Sequence, residues 1–180
     1  MAACRLCFAA HRTHTDLAKL LASAKAKLGA DPEAKGWHTP DGVHYGRGPA
    51  AGKLAVLFPG QGSQYVGMLR ELACLFPEML DTLAAANAAV SKESPGRLTD
   101  RVYPPTTFDP DRKKQYEHEL RDTRNAQPAI GAVSFGAWRT LSRRFGLKAD
   151  AFAGHSYGEL VALAASGRVK ESDLFTLSRL

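Results

Sequence analysis

The residues whose types and spacing suggest chemistry lie at positions 154–158, where the sequence is Gly-His-Ser-Tyr-Gly. A serine between two glycines at this spacing is typical of a strained turn between a strand and a helix, which exposes the serine hydroxyl as a nucleophile. The flanks fit this interpretation, because 149–153 is short and mostly apolar, while 159–166 is rich in helix formers and precedes Gly167. The alternative is a small-residue turn in which Ser156 only caps a helix.

A second turn supplies groups that such a serine would need. Residues 54–58 predict a buried strand, which runs into the sequence Pro-Gly-Gln-Gly-Ser-Gln at 59–64. Acyl transfer through a serine requires two fixed N–H donors for the oxygen that becomes negative, and the backbone N–H groups of Gln61 and Tyr157 are the candidates. An ordinary glycine-rich turn is the alternative. A phosphate-binding loop is excluded, because the Gly-Lys-Ser/Thr ending is absent.

Three motifs taken together resemble a known family. The sequences FPGQGSQ at 58–64, NAQPAI at 125–130 and GHSYGE at 154–159 follow the order and spacing of the malonyl-CoA:acyl carrier protein acyltransferases, including acyltransferase domains of polyketide and polyunsaturated fatty acid synthases. The resemblance covers about residues 53–180. It implies five site residues with family roles: the acyl carrier Ser156, the oxyanion N–H donors Gln61 and Tyr157, and the substrate-pocket residues Gln127 and His155.

The resemblance also implies groups that this sequence does not contain. In the family the serine is activated by a histidine far downstream, later than Leu180, and the malonyl carboxylate is held by an arginine expected directly after Leu180. Arg179 is out of register and is not assigned that role. His155 is not expected to act as the base, because neighbouring side chains at a strand end point in opposite directions. We therefore expect an N-terminal portion of an acyltransferase that is inactive by itself.

The implied reaction moves an acyl group, malonyl in the first instance, from coenzyme A to an acyl carrier protein through a serine ester, in fatty acid or polyketide synthesis. The implied partners are malonyl-CoA or another acyl-CoA, the carrier protein and other domains of a multidomain synthase. No bound cofactor is expected, since the coenzyme A thioester is a substrate. Tyr157 stands where malonyl-using members often have a small or branched apolar residue, so its side chain is expected to alter the pocket. A serine hydrolase or thioesterase, and an inactive fragment that acts only by docking, stay open as alternatives.

The order strand, helices, strand, helix predicts an α/β fold with a parallel sheet flanked by helices. The resemblance implies the large, α/β-hydrolase-like subdomain of an acyltransferase, without the small ferredoxin-like subdomain. Helices are predicted at 65–75, 78–90 and 111–124 and from Gln127-Pro128 to Gly146, with an irregular stretch at 91–110. The last helix carries an apolar face that is expected to be core: Ile130, Val133, Ala137, Trp138, Leu141 and Phe145.

Residues 1–52 are expected to hold an N-terminal helix and an interdomain linker ahead of the acyltransferase portion at 53–180. Apolar residues recur at helical spacing from Leu17 to Leu28, with Gly29 as a stop. Seven Gly and Pro residues in 36–52 indicate a turn-rich linker. The cysteines and histidines at 4, 7, 11 and 14 are too closely spaced for one compact zinc site, so no metal is predicted.

Composition narrows the class of protein further. The chain of 180 residues is 44% hydrophobic and 23% charged, which is ordinary for a globular protein. The first 53 residues hold eight Lys/Arg and four Asp/Glu, against sixteen and fourteen in the remainder. Without a basic stripe, nucleic-acid binding is not expected. Three cysteines give no even disulfide framework, and neither a signal peptide nor a bilayer-spanning run is present, so a cytoplasmic chain that does not bind membranes is predicted.

Overall fold

The chain forms two compact units, Met1–Gly52 and Lys53–Leu180. The structure is a computed structural model that describes residues 4–49, 52–90 and 96–178. In the first unit, β1 is Cys4–Cys7, α1 is Leu17–Ala30, β2 is Gly36–His38 and β3 is His44–Arg47. The three strands form an antiparallel sheet in the order β1-β3-β2.

Helix α1 follows the sequence prediction closely. Asp16 caps it by accepting a hydrogen bond from the N–H of Lys19 at 3.0 Å, as expected of an acidic residue just before a helix. Leu20 and Ala24 are buried and form a small core with Val43. The helix therefore packs within its own unit.

The prediction of a turn-rich linker at 36–52 missed a hairpin. Gly42 lies in the turn of this hairpin: it has φ 86°, and its N–H donates to the carbonyl of Thr39 at 3.0 Å. Trp37 and Tyr45 stack across the two strands with ring centroids 5.3 Å apart, the kind of cross-strand pair that stabilises a sheet. His38 and His44 also face one another across the hairpin.

In the second unit, the strands of a parallel sheet alternate along the chain with helices. Its elements are β4 Ala55–Phe58, α2 Arg70–Leu75, α3 Pro77–Val90, α4 Leu98–Val102, α5 Pro110–Arg121, α6 Thr123–Arg139, a π-helical turn Thr140–Arg144, β5 Ala151–Gly154, α7 Tyr157–Ala165 and α8 Glu171–Leu177. Strands β4 and β5 pair in parallel, from Ala55 opposite Ala151 to Phe58 opposite Gly154. The predicted α/β class, with a parallel sheet flanked by helices, is confirmed.

The expectation that both strands are buried is wrong for one face of this sheet. Phe58 is buried and Phe152 is half-buried, but Leu57 is 74% exposed and the alanines beside it are exposed as well. Successive side chains on a strand alternate between faces. Helices cover one face of the two-stranded sheet, while the other carries the exposed residues Ala55, Leu57, Ala151 and Ala153.

Several helix boundaries depend on local geometry that the pattern did not indicate. Residues 65–69 form turns rather than the start of a helix, because Leu69 adopts a left-handed conformation with φ 49°. Pro77 is the first residue of α3, where the missing N–H costs little. The stretch predicted to be irregular contains α4, whose Leu98 and Val102 lie four residues apart and are fully buried.

Helix α6 begins earlier than predicted, at Thr123, and Pro128 lies inside it. Asp122 separates α5 from α6 and caps α6 by accepting from the N–H of Arg124 at 3.0 Å. The predicted apolar face is core as far as Trp138, whose ring meets Phe152 edge-on at 5.0 Å. Leu141 and Phe145 are exposed instead, because the π-helical turn at 140–144 shifts the register of the face.

Candidate active site

Ser156 lies between the end of β5 and the start of α7 in a strained conformation, with φ 53° and ψ −120°. Residues other than glycine rarely adopt a positive φ. Among the described non-glycine residues, only Leu69 also does so. Such strain is typical of a residue that the surrounding fold must hold in place. The conformation is that of the predicted strand-to-helix elbow.

The hydroxyl of Ser156 hydrogen-bonds to no other described residue. Ser156 occupies the N-cap position of α7, but its side chain caps nothing. The residue is exposed. The alternative that Ser156 serves only as a helix cap therefore does not fit the structure.

The two glycines of the motif are required by close backbone contacts. A Cβ on Gly154 would overlap the backbone of Gly158, and a Cβ on Gly158 would overlap the carbonyl of Phe58. Atoms other than hydrogen do not approach so closely without a shift of the backbone. Glycine at both positions is what lets α7 start directly against the two strands.

The turn at 59–64 lies against this elbow, although Gln61 and Ser156 are 95 positions apart in the chain. The N–H of His155 donates to the carbonyl of Phe58 at 3.1 Å, which extends the strand pairing into the turn. A Cβ on Gly60 would overlap the carbonyl oxygen of His155 and lie 3.2 Å from the Cβ of Ser156. The fold thus brings the two predicted motifs into contact.

Two backbone donors beside the elbow are unpaired. Among the described residues, no acceptor receives the N–H of Gln61 or the N–H of Tyr157. Tyr157 is the first residue of α7, and the first N–H groups of a helix have no partner within it. The N–H of Tyr157 lies at the positive end of a helix dipole, and the N–H of Gln61 lies in a tight turn. Both settings favour a nearby negative oxygen.

The side chain of Gln61 joins the turn to the first turn of α6. Its Nε2 donates to Thr123 Oγ1 at 3.0 Å, and its Oε1 accepts from Gln127 Nε2 at 3.3 Å. Gln127, which the resemblance places in the pocket, therefore contacts the turn at 59–64. The sequence does not single out Thr123, although its position four residues before Gln127 places both on one helix face.

The side chain of Tyr157 turns into the interior of the second unit. It is 8% exposed; its ring packs on Gly131, and its hydroxyl is hydrogen-bonded to that of Ser178. Ser178 Oγ donates in turn to the carbonyl of Leu174 at 2.6 Å. Burial raises the pKa of Tyr157 to about 12. The side chain expected to alter the pocket is thus part of the core, and no sequence pattern connects it to Ser178.

Among the described histidines, His155 lies at the elbow itself. The ring of His155 is exposed and lies beside Gly60, where a Cβ would be 3.0 Å from its Nδ1. His118 is an exposed residue of α5. Arg179, to which the carboxylate-binding role is not assigned, lies outside the described residues.

Neither a metal centre nor a membrane span is found in the described part of the chain. Within 4–49, 52–90 and 96–178, no three His, Cys, Asp or Glu side chains are grouped to hold a metal ion. No described helix combines the length and apolar character needed to cross a bilayer. Cys4, Cys7 and Cys74 are exposed free thiols.

Comparison with known families agrees with the elbow and its turn. The model of the acyl transferase domain family matches residues 56–176. The chain belongs to this family. It is 34% identical over 125 residues to the malonyl CoA-acyl carrier protein transacylase of Salmonella typhimurium, and 31% identical over 171 residues to one subunit of the polyunsaturated fatty acid synthase of Thraustochytrium.

Solved acyl transferase structures share the fold. The acyltransferase domain from the second module of the salinomycin polyketide synthase matches 98% of this chain with a TM-score of 0.69 and 29% identity. A malonyl-transacylase in complex with a type II polyketide synthase acyl-carrier protein matches 71% of it with a TM-score of 0.60 and 33% identity.

The matches cover only part of each relative. The chain accounts for 36% of the Salmonella transacylase, where 69% of the chain is matched, and for 6% of the Thraustochytrium synthase protein, where 90% is matched. It covers 37% of the malonyl-transacylase and 36% of the salinomycin synthase domain among the solved chains.

Proposed function

We propose that this chain contributes the nucleophilic elbow to an acyl transfer reaction. The observation that carries the proposal is the strained, exposed Ser156 with a free hydroxyl, which lies against Gly60 and is flanked in sequence by Tyr157, while the N–H groups of Gln61 and Tyr157 are unpaired among the described residues. A serine held in this way is positioned to attack a thioester carbonyl, and fixed donors are positioned to stabilise the oxyanion. Hydrolysis and acyl transfer share these first steps and are not distinguished by them. Membership of the acyl transferase family favours transfer.

The proposed reaction has two balanced steps. Ser156 Oγ bonds to the thioester carbonyl carbon as its proton passes to a base, and the C–S bond breaks to release coenzyme A, which takes up a proton as its thiol. The thiol of an acyl carrier protein then attacks the serine ester, and Ser156 recovers its proton. Gln61 and Tyr157 donate to the oxyanion in both steps. No described histidine is hydrogen-bonded to Ser156 Oγ, so we assign the base to none of them.

Malonyl-CoA and an acyl carrier protein are the proposed substrates, because relatives are named as transacylases for both. We place Gln127 and His155 in the acyl pocket on account of their contacts with the turn. The reaction as proposed needs no resident cofactor or metal and no nucleic acid or membrane. The cytoplasm is the proposed compartment, since three exposed free thiols suit a reducing environment.

The first test is acylation of Ser156. The chain, and a hybrid in which the C-terminal part of a malonyl transacylase relative follows residue 180, are incubated with malonyl-CoA and measured by intact-protein and peptide mass spectrometry. We expect one malonyl group on Ser156 of the hybrid, none on the chain by itself and none in the Ser156→Ala hybrid. The matched control is Ser166→Ala, which removes another exposed serine hydroxyl at the opposite end of α7 and is expected to leave labelling intact. A label that survives Ser156→Ala would refute the nucleophile.

Substitution of Gln61 separates its backbone from its side chain. Gln61→Pro deletes the proposed N–H donor, and loss of one such donor costs about 3 kcal/mol of transition-state stabilisation, or more than a hundredfold in rate. Gln61→Ala keeps the N–H and is expected to slow acylation far less. Transfer onward to a carrier protein, against release of free malonate, distinguishes a transferase from a hydrolase. Equal rates for the two variants would contradict the oxyanion role.

A further inference from the structure

The turn at 59–64, which we propose as the oxyanion turn, has little conformational rigidity of its own around Gln61. That residue lies between two glycines, and Gly62 has φ 104°, so the chain around it is free to adopt many conformations. Gln61 and Gly62 are the central residues of a turn that is closed by bonds between other groups: Ser63 donates its N–H at 3.3 Å and its Oγ at 2.8 Å to the carbonyl of Gly60, and the N–H of Gly62 donates to Gln64 Oε1 at 2.8 Å. Gln61 itself makes none of these bonds, so a direct anchor for it is made outside the turn.

The side chain of Gln61 provides that anchor, because both ends of its amide are engaged by α6. The NH₂ group donates to Thr123 Oγ1 and the oxygen accepts from Gln127. Thr123 presents a hydroxyl to one side of the amide, and Gln127 presents an NH₂ donor to the other. Rotation of the Gln61 amide by 180° would therefore place its NH₂ group against that of Gln127. The pair Thr123 and Gln127 thus sets the orientation of the amide.

Thr123 is itself well placed to be rigid. It is the first residue of α6, directly after the cap Asp122, and α6 runs for 17 residues through the core of the second unit. Gln127 follows one turn later on the same helix. The anchor for the turn is therefore the exposed first turn of a helix whose buried residues begin at Ala126, rather than another loop.

We propose that Thr123 is a positioning residue for the oxyanion turn: its hydroxyl fixes the side chain of Gln61, and thereby the direction of the Gln61 N–H towards Ser156. The Thr123 hydroxyl is hydrogen-bonded to Gln61 and not to Ser156, so its effect on acylation is indirect. Its effect on acylation rests on the proposed function, whereas its effect on the mobility of Gln61 does not.

The mobility of the Gln61 side chain tests the first part of the proposal in this chain. Nitrogen-15 relaxation of Gln61 Nε2 is measured in the wild type, in Thr123→Val, which keeps the shape but loses the acceptor, and in Thr123→Ser, which keeps the hydroxyl. We expect an order parameter above about 0.6 in the wild type and in Thr123→Ser, and below about 0.6 in Thr123→Val. The control Thr99→Val removes a hydroxyl that accepts from Asn87 on other helices and should leave Gln61 unchanged. A mobile Gln61 in the wild type would overturn the proposal.

A double-mutant cycle on Ser156 acylation by malonyl-CoA, measured in the hybrid, tests the second part. Loss of one hydrogen bond changes such rates by about fivefold, so Thr123→Val should slow acylation by about that factor while Thr123→Ser restores it. If Thr123 acts only through the Gln61 side chain, Thr123→Val should have no further effect in a Gln61→Ala background. Additive losses would contradict the positioning role. If no variant and no wild type is acylated, the proposed function fails, and the relaxation measurement still decides the anchor.

Discussion

At the scale of single residues, the site depends on small side chains that allow backbone to meet backbone. Gly60, Gly154 and Gly158 each lie where a Cβ would overlap a neighbouring main-chain atom. These contacts hold Ser156 in its strained conformation, because the elbow has no room to relax into the strands or the turn. The sequence indicated these glycines as a motif, and the structure gives the physical reason for each.

Gly158→Ala is expected to destabilise the second unit. Its Cβ would overlap the carbonyl of Phe58, and forcing extra atoms into packed structure costs about 3 kcal/mol. Urea unfolding followed by the fluorescence of Trp138 measures the loss in this unit, in a Trp37→Phe background. Ser166→Ala, at the far end of the same helix, is the matched control, since Ser166 is exposed and surface substitutions change stability by less than about 0.5 kcal/mol. Equal stability of Gly158→Ala and wild type would contradict the packing argument.

The residues of the site were more predictable than their support. Ser156 and the turn at 59–64 follow from local motifs, which a sequence displays directly. The partnership of Gln61 with Thr123 and the burial of Tyr157 against Ser178 and Gly131 depend on which helix faces are adjacent in space. That information is distributed over distant parts of the chain and leaves no periodic signal in any one of them.

At the scale of elements, helix interiors were predicted well and helix ends poorly. The apolar periodicity that indicated α1 and α6 reports burial, because it records which side chains of a helix face the core. The ends depend on single caps, such as Asp122 between α5 and α6. The hairpin of β2 and β3 was missed because each strand is only three or four residues long and is surrounded by the glycines of its own turns.

Acid is expected to loosen the first turn of α6. The side-chain hydrogen bond from Arg124 lowers the pKa of Asp122 to about 2, and the carboxylate caps the helix through the N–H of Arg124. A carboxyl group with a lowered pKa contributes stability above its unfolded pKa and loses it as the pH falls through the folded value. The Arg124 amide shift should therefore titrate with a midpoint near 2, well below the ordinary 3.8. Asp122→Asn is the control without this titration, and a midpoint at the ordinary value would contradict the assignment.

At the scale of the whole molecule, the parallel sheet of the second unit is two strands wide within the described residues, and the side chains on one of its faces are exposed. Parallel sheets are almost always covered on both faces. Here the buried Phe58 and the half-buried Val56 and Phe152 face the helices, whereas Leu57 and the neighbouring alanines are exposed. The family members of known structure are longer than the matched region. The open face is thus an apolar surface that favours association.

Leu57→Ser is therefore expected to reduce self-association without weakening the fold. The side chain is 74% exposed, so its replacement should change the free energy of unfolding by less than about 0.5 kcal/mol. Sedimentation velocity across a range of concentrations measures the association. Leu75→Ser is the matched control, because Leu75 is 71% exposed but lies on α2, away from the sheet. If both substitutions reduce association equally, the sheet face has no special part in it; if Leu57→Ser alone does so, the open face of β4 and β5 is the surface through which the chain associates.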